Sequence, residues 1–194
     1  MGICFSACAV RDQTISDMRA DPPLVWRLVS PDDDSPYLNE IGFGRRASLL
    51  DRVLGRKKES PVMRTLSFTE PELEMLDLDK SWDGLNACLS DRAPDAPQFF
   101  EGSGRIGKIE VGYGPALFHM SGTMRTIADA YLSVSEDDLL GAFNRIDMGK
   151  RYLGDFWARR DEDAKSCLLE NFAALRAFLR HVVDHGLGVV IQYT

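Results

Sequence analysis

The stretch Leu76-Asp-Leu-Asp-Lys-Ser-Trp-Asp-Gly-Leu-Asn-Ala-Cys-Leu89 changes from the period of a strand to the period of a helix. Two leucines alternate with aspartates at its start, which is typical of a half-buried strand. A tryptophan and two leucines then recur at helical spacing, and Asp79 or Ser81 is placed to cap the first turn. The stretch therefore predicts a strand that turns directly into a helix, with charged side chains at a junction of the kind where open sheets often bind ligands.

The end of the chain predicts a long helix followed by a strand. From about Asp163, apolar residues recur at steps of three and four positions with charged residues between them, the pattern of an amphipathic helix. Gly186 is a natural stop for that helix. Val189–Tyr193 begins with three consecutive β-branched residues, so we expect a strand at the centre of a sheet.

Strands and helices follow one another irregularly between these two regions. Residues 2–10 are expected to form another strand, Ser121 or Thr123 to cap a helix, and Ser135 with Asp138 to form a capping box. This order predicts the α+β class. We expect a small mixed or antiparallel sheet with helices packed mainly on one side, closed by the long C-terminal helix and a final core strand.

Two regions do not follow this pattern. Gly102–Gly107 has the spacing of a dinucleotide-binding fingerprint, but no strand runs directly into it and no helix opens after it, so we interpret it as a flexible loop. Residues 35–70 are expected to be a loop-and-helix insertion with a short helix at 47–54. The insertion carries the basic segment Arg45–Lys58, which we interpret as a solvated face, with phosphate or membrane binding as the alternative.

The composition indicates one globular domain of 194 residues, of which 44% are apolar. The formal net charge of -7 repels phosphate backbones, which argues against a nucleic-acid partner. Since the sequence contains neither a bilayer-spanning apolar run nor a secretory signal, we expect no membrane partner and a cytoplasmic location. The four cysteines are expected to be free thiols.

Charged and aromatic side chains gather at two predicted bends. One is the strand-to-helix junction, and the other is Gly112-Tyr-Gly-Pro-Ala116, where two glycines and a proline impose a special backbone path. If the bends meet, they form the polar edge and the aromatic wall of a pocket. The alternative is structural: a capping aspartate, an exposed lysine and a core tryptophan. The candidate ligand- or partner-binding residues are Asp79, Lys80, Trp82, Asp83, Tyr113, His119 and Trp157.

Catalytic and metal sites are less well supported by the sequence. A pair formed by Cys88 and His119 would require two distant motifs to meet. The alternating acids of residues 77–83 lack the glycine and the glutamate of a calcium loop. His181 and His185 lie one helical turn apart without an evident third ligand, and surface histidines favoured by the helix dipole are the alternative. We therefore assign no metal and no cofactor.

Four motifs, taken in this order, resemble the bacterial YfbM-like family: Leu76–Leu85, Gly112–Ala116, Tyr152–Trp157, and Leu169–Phe178 followed by a closing strand. The resemblance implies a bacterial, cytosolic α+β domain that covers residues 1–194, with the insertion at about 35–70 as an elaboration. It implies no reaction, because the family has no established activity.

These observations favour a cytosolic binding or interaction module for a protein partner or a small ligand. An acidic face would suit a domain that neutralises a basic protein such as a toxin or nuclease. The alternative is a hydrolase-type enzyme, which requires Asp79, Tyr113 and His119 to share one deep pocket.

Overall fold

The computed structural model describes residues 2–43 and 62–194 and contains one antiparallel sheet. Within these residues the sheet has five strands in the order β2-β1-β5-β4-β3, and every neighbouring pair is antiparallel. The strands are β1 (Phe5–Val10), β2 (Met75–Asp79), β3 (Gly104–Gly112), β4 (Gly114–His119) and β5 (Gly188–Tyr193).

Helices cover both faces of the sheet unequally. The described residues form eight α-helices: α1 (Asp12–Ala20), α2 (Val25–Val29), α3 (Ser35–Glu40), α4 (Trp82–Arg92), α5 (Ser121–Leu132), α6 (Glu136–Arg145), α7 (Gly154–Ala158) and α8 (Glu162–Asp184). Helices α4–α8 pack on one face and form the main core, whereas the short helices α1–α3 cover part of the other face. The predicted α+β class, with a long C-terminal helix and a final core strand, is confirmed.

The first and last strands of the chain form the centre of the sheet. Strand β5 pairs with β1 from Phe5 opposite Tyr193 to Val10 opposite Gly188, and its other edge pairs with β4. Small residues in β1 allow both faces to be covered: Ala7 and Ala9 face the main core, and Cys8 faces the smaller one. The prediction that the final strand is central is therefore confirmed.

Side chains close the ends of three helices. The predicted capping box of Ser135 and Asp138 is present at the start of α6, and Asp161 caps the long helix α8. The predicted caps of α5 are wrong, since the carboxylate of Asp12 instead accepts hydrogen bonds from the Ser121 amide and hydroxyl, both at 2.7 Å. Helix α5 is thus capped from α1, a contact between residues more than a hundred positions apart that local sequence does not encode.

The predicted loop over Gly102–Gly107 is wrong for most of its length, because β3 begins at Gly104. Strand β4 supplies the partner, with Gly104 opposite Phe118. A Cβ atom at Gly104 would lie 2.9 Å from the Phe118 ring, so glycine here permits close strand packing.

The predicted helix at 47–54 and the basic segment lie outside the described residues, and the insertion at about 35–70 stays a prediction. Across residues 2–43 and 62–194, no helix combines the length and the apolarity needed to cross a bilayer.

A buried carboxylate fastens the segment before β2 to α1. Glu72 is 5% exposed and accepts hydrogen bonds from Arg11, Thr14 and Thr69. Burial alone would raise the pKa of Glu72, but the backbone amides of Arg11 and Thr69, together with the two threonine hydroxyls, lower the pKa to about 2. The carboxylate is therefore ionised in the folded protein, and it holds the segment that leads into β2 against the start of α1.

Replacing Glu72 tests this clamp. Glu72→Gln should lower the free energy of unfolding by about 2 kcal/mol at pH 7, since it removes a charged acceptor from several donors. The pKa of Glu72 in the folded protein lies below its value in the unfolded chain. The stabilisation from the ionised carboxylate is therefore present above about pH 5 and is lost as the pH falls towards 2. Urea unfolding from pH 7 to pH 2 should show the difference between variant and wild type shrinking. A difference that is independent of pH, or an equal loss in the exposed control Glu74→Gln, would contradict the clamp.

Candidate functional site

The strand-to-helix junction predicted at residues 76–89 is confirmed, with β2 ending at Asp79 and α4 beginning at Trp82. The predicted side-chain caps of α4 are wrong. The Ser81 hydroxyl donates to the Leu78 carbonyl at 2.6 Å, and no side chain accepts a hydrogen bond at the cap position. The Asp79 amide is held by the Asp77 carboxylate at 2.8 Å, so the acids of β2 stabilise the turn itself.

A cleft of about 410 Å³ opens beside this junction. One wall is residues 77–81, and the facing wall comes from the start of α7 and the first half of α8. The facing wall consists of Leu153, Phe156, Cys167 and Asn171. We call this cavity the β2 cleft. It combines carboxylates and a lysine from one side with apolar surface and an amide from the other.

Two residues that line the β2 cleft have left-handed backbone conformations. Asp79 has φ +42° and Leu153 has φ +60°. Among the described residues only two other non-glycine positions share positive φ, Leu73 and Arg160. A left-handed residue with a Cβ atom costs roughly 1–2 kcal/mol, and such strain persists where surrounding structure holds it, often at functional sites. The penalty falls mainly on Leu153, because the short polar side chain of an aspartate tolerates this conformation, so the strain lies at the α7 wall of the cleft.

The thiols near the cleft are not activated as nucleophiles. Cys4 Sγ donates to the Asp79 carboxylate at 2.9 Å, and this hydrogen bond raises the pKa of Cys4. Burial raises the pKa of Cys167. Both groups are thus held as thiols, and the contact from Cys4 joins the start of β1 to the junction.

The four predicted site residues at the junction fall into two groups, those that line the cleft and those that make contacts around it. Lys80 lines the β2 cleft together with Asp79. The Trp82 indole donates to the Ile3 carbonyl at 3.1 Å, and Asp83 accepts from the Tyr152 amide at 2.8 Å. Trp82 and Asp83 therefore fasten neighbouring segments around the cleft and are not among the residues that line it.

Trp157 lies in the main core, fully buried. Gly84 of α4 faces its indole, and a Cβ atom there would lie 2.5 Å from the ring. Glycine in the first turn of α4 is accordingly explained by close packing of this helix on Trp157. The structure thus gives Trp157 a packing position behind the cleft wall.

Tyr113 lies at the tip of the β3–β4 hairpin and is 56% exposed. Its amide donates to the Tyr193 carbonyl at 2.7 Å. The Tyr193 ring packs edge-on against the Trp82 ring, with 5.0 Å between the ring centroids. Phe5 lies opposite both Asp79 and Tyr193 in the sheet, so two strand spacings, about 10 Å in total, separate those two residues. Tyr113 is at the same end of the sheet as Asp79 but does not line the β2 cleft.

His119 is 1% exposed, and both of its ring nitrogens are engaged. Nε2 lies 2.9 Å from the Phe99 carbonyl, and Nδ1 lies 2.7 Å from the Ser103 hydroxyl. This arrangement fits a neutral imidazole that donates from Nε2 and accepts at Nδ1. Burial also lowers the pKa of His119. Cys88 is fully buried with its pKa raised to about 12, so neither residue has the setting of a catalytic pair.

The histidines at the end of α8 make structural contacts. His181 Nε2 lies 2.7 Å from the Pro71 carbonyl, and His185 Nδ1 lies 2.9 Å from the His181 carbonyl. The part of the chain that the structure describes holds no group of three or more His, Cys, Asp or Glu side chains arranged for a metal ion.

Sequence reasoning missed the facing wall of the cleft. Cys167 and Asn171 are four residues apart on the half-buried flank of α8, and Asn171 donates to the Cys167 carbonyl at 2.7 Å. Their helical spacing places them on one face, a signal that was available in the sequence. Nothing local indicates that this face lies opposite β2.

Together these features define an antiparallel α+β domain with a ligand-sized cleft at one edge of its sheet. The chain belongs to the family described as domain of unknown function DUF1877, which matches residues 1–192. It is similar in structure to a crystal structure described as a protein of unknown function, YfbM from Escherichia coli. The TM-score is 0.54 at 12% identity, covering 98% of this chain and 99% of that chain, which supports a shared fold. No curated protein matches the chain. The predicted resemblance to the YfbM-like family is confirmed.

Two substitutions at Leu153 test the strain at the cleft wall. Both Leu153→Gly and Leu153→Ala remove the exposed part of the leucine side chain. Only alanine keeps a Cβ atom, and with it the conformational penalty of the left-handed backbone at φ +60°. The glycine variant should be more stable than the alanine variant by about 0.5–1 kcal/mol in urea unfolding, after the entropy cost of glycine in the unfolded chain. At the exposed helical position Ala173 the order should reverse, with Ala173→Gly less stable than wild type. Equal stability of the two Leu153 variants would contradict stored strain.

Proposed function

We propose that this domain is a binding module and that its ligand or partner segment occupies the β2 cleft. The observation that carries this proposal is the composition of the cleft: Asp77 and Asp79 lie on one wall, and Leu153 and Phe156 lie on the other. Its volume of about 410 Å³ suits a small molecule or a few side chains of a protein. Such a site favours groups that carry a cation next to an apolar body.

Lys80 does not reverse this preference. The cleft wall contains two carboxylates and one ammonium group, and the chain has a formal net charge of -7. Long-range attraction therefore favours cationic partners, which agrees with a role in neutralising a basic protein. A partner with exposed lysine or arginine side chains interleaved with apolar ones has the matching chemistry.

The geometry gives less support to the hydrolase alternative. His119 has both ring nitrogens hydrogen-bonded within the core, and Tyr113 projects from a hairpin outside the cleft. Cys4, Cys88 and Cys167 each have a raised pKa. The cleft-lining side chains therefore do not supply a cysteine nucleophile with an adjacent free base, the arrangement that covalent hydrolysis requires.

A small amphiphilic cation tests the proposal directly. Phenethylamine at millimolar concentration should shift the amide resonances of residues 77–81, 153–156 and 167–171 in ¹H–¹⁵N spectra in a saturable manner. Its anionic counterpart phenylpropionate should bind at least tenfold more weakly, because the carboxylates repel it.

A matched pair of variants supplies the control. Asn171→Arg places a long cation in the cleft and should abolish the phenethylamine shifts, whereas Ala173→Arg adds the same charge on an exposed face of the same helix and should leave them. Shifts that persist in Asn171→Arg, or no saturable shift around the cleft in the wild type, would overturn the proposal.

A further inference from the structure

Strand β2 lies at an edge of the described sheet. Its inner side pairs with β1, and no described strand pairs with its outer side. The outer backbone groups of an edge strand are a template for another extended segment, and peptide recognition by strand addition uses this arrangement. The β2 cleft runs beside the same edge, since residues 77–79 belong to both.

The side chains of β2 alternate strictly between two environments. Met75, Asp77 and Asp79 are exposed, and the two leucines between them are buried towards the main core. A strand added to the outer side of β2 would share this alternation, because successive side chains of a strand point to opposite faces of the sheet. One set of its side chains would then lie beside the aspartates, and the other set would lie on the face of the buried leucines.

The cleft at this edge is lined by residues of both sets, Asp77 and Asp79 as well as Leu78. Leu78 lines the cleft, and Leu153 and Phe156 provide apolar surface across from it. Apolar side chains of an added strand would therefore enter the cleft. Asp77 and Asp79, which alternate with Leu78 along β2, also line the cleft, so cross-strand pairs with them are favourable for cations and unfavourable for anions.

Charge also decides between a partner and a second copy of this chain. Pairing of β2 with another β2 would bring the exposed aspartates of both copies to the same small surface. Like charges across neighbouring strands are destabilising, and charged side chains on an edge are a common device against self-association. The edge therefore disfavours its own copy and accepts a strand of opposite charge.

We propose that an extended segment of a partner protein, with lysine or arginine alternating with apolar residues, adds to β2 as a sixth strand and places its apolar side chains in the β2 cleft. This inference rests on the proposed function and specifies the class of partner. Main-chain hydrogen bonds to β2 supply affinity, and the two alternating surfaces supply sequence preference.

The test uses the full-length protein and two peptides of identical composition. The acetylated and amidated peptide Lys-Leu-Lys-Val-Lys-Leu-Lys should bind at least tenfold more tightly than its block isomer Lys-Lys-Lys-Lys-Leu-Val-Leu, since only the first matches the alternation of β2. Hydrogen exchange should show new protection in residues 75–79 with the alternating peptide. Equal binding of both isomers, or protection confined to the edge strand β3, would overturn strand addition at β2.

A conservative double variant tests the charge pairing. Asp77→Asn with Asp79→Asn keeps side-chain oxygens for the Asp79 amide and the Cys4 thiol, and asparagine tolerates the left-handed backbone of Asp79. Affinity for the alternating peptide should fall about tenfold. The control Asp129→Asn with Asp137→Asn changes net charge equally at exposed positions and should leave affinity within twofold. If both double variants lost the same affinity for the peptide, the effect would come from net charge and not from pairing with Asp77 and Asp79, and the proposed charge pairing would be overturned.

Phenethylamine separates this inference from the proposed function. If the amine occupies the cleft but the alternating peptide gives no protection of β2, strand addition fails and the cleft remains a small-ligand site. If neither binds, the proposed function fails as well. Concentration-dependent protection of β2 without peptide would identify a second copy of the chain as the occupant and would overturn the choice of a cationic partner.

Discussion

The pairing of the first strand with the last is the constraint on which the rest of this structure depends. Strand β1 meets β5 over six residue pairs, and reciprocal hydrogen bonds between Cys4 and Thr194 extend the ladder. Because these strands lie at opposite ends of the chain, the ladder forms only when nearly the whole chain is enclosed between them. The entropy of closing such a loop is offset by burying both faces of the central pair.

The arrangement of the candidate site follows from this pairing. The outer side of β1 accepts β2, which carries the junction at Asp79, and the other side of β5 accepts β4 with the hairpin at Tyr113. The two bends therefore share one end of the sheet but lie on opposite sides of the central strands. The β2 cleft forms instead where α7 and α8 of the main core reach the edge strand, so its second wall comes from a different part of the sequence.

Much of the fold could be predicted because it is encoded locally. The alternation in β2, the capping box of Ser135 and the stop at Gly186 are each determined by a few neighbouring residues. Features that depend on distant contacts could not be predicted. The strand character of Gly104 depends on β4, and the burial of His119 depends on partners at Phe99 and Ser103. The junction at Asp79 and Lys80 could be predicted from the local change of period, whereas the wall that faces them depends on the packing of α8.

Native-state hydrogen exchange tests the central role of the β1–β5 ladder most directly. If the ladder depends on the whole fold, the amides that bond across it, those of Ser6, Cys8, Val190 and Gln192, should exchange only through global unfolding, with free energies equal to that from urea denaturation. Amides of the edge strands β2 and β3 should exchange through openings of lower free energy. The account would be contradicted if the β1–β5 amides exchanged through a local opening while those of β2 remained protected to the global limit.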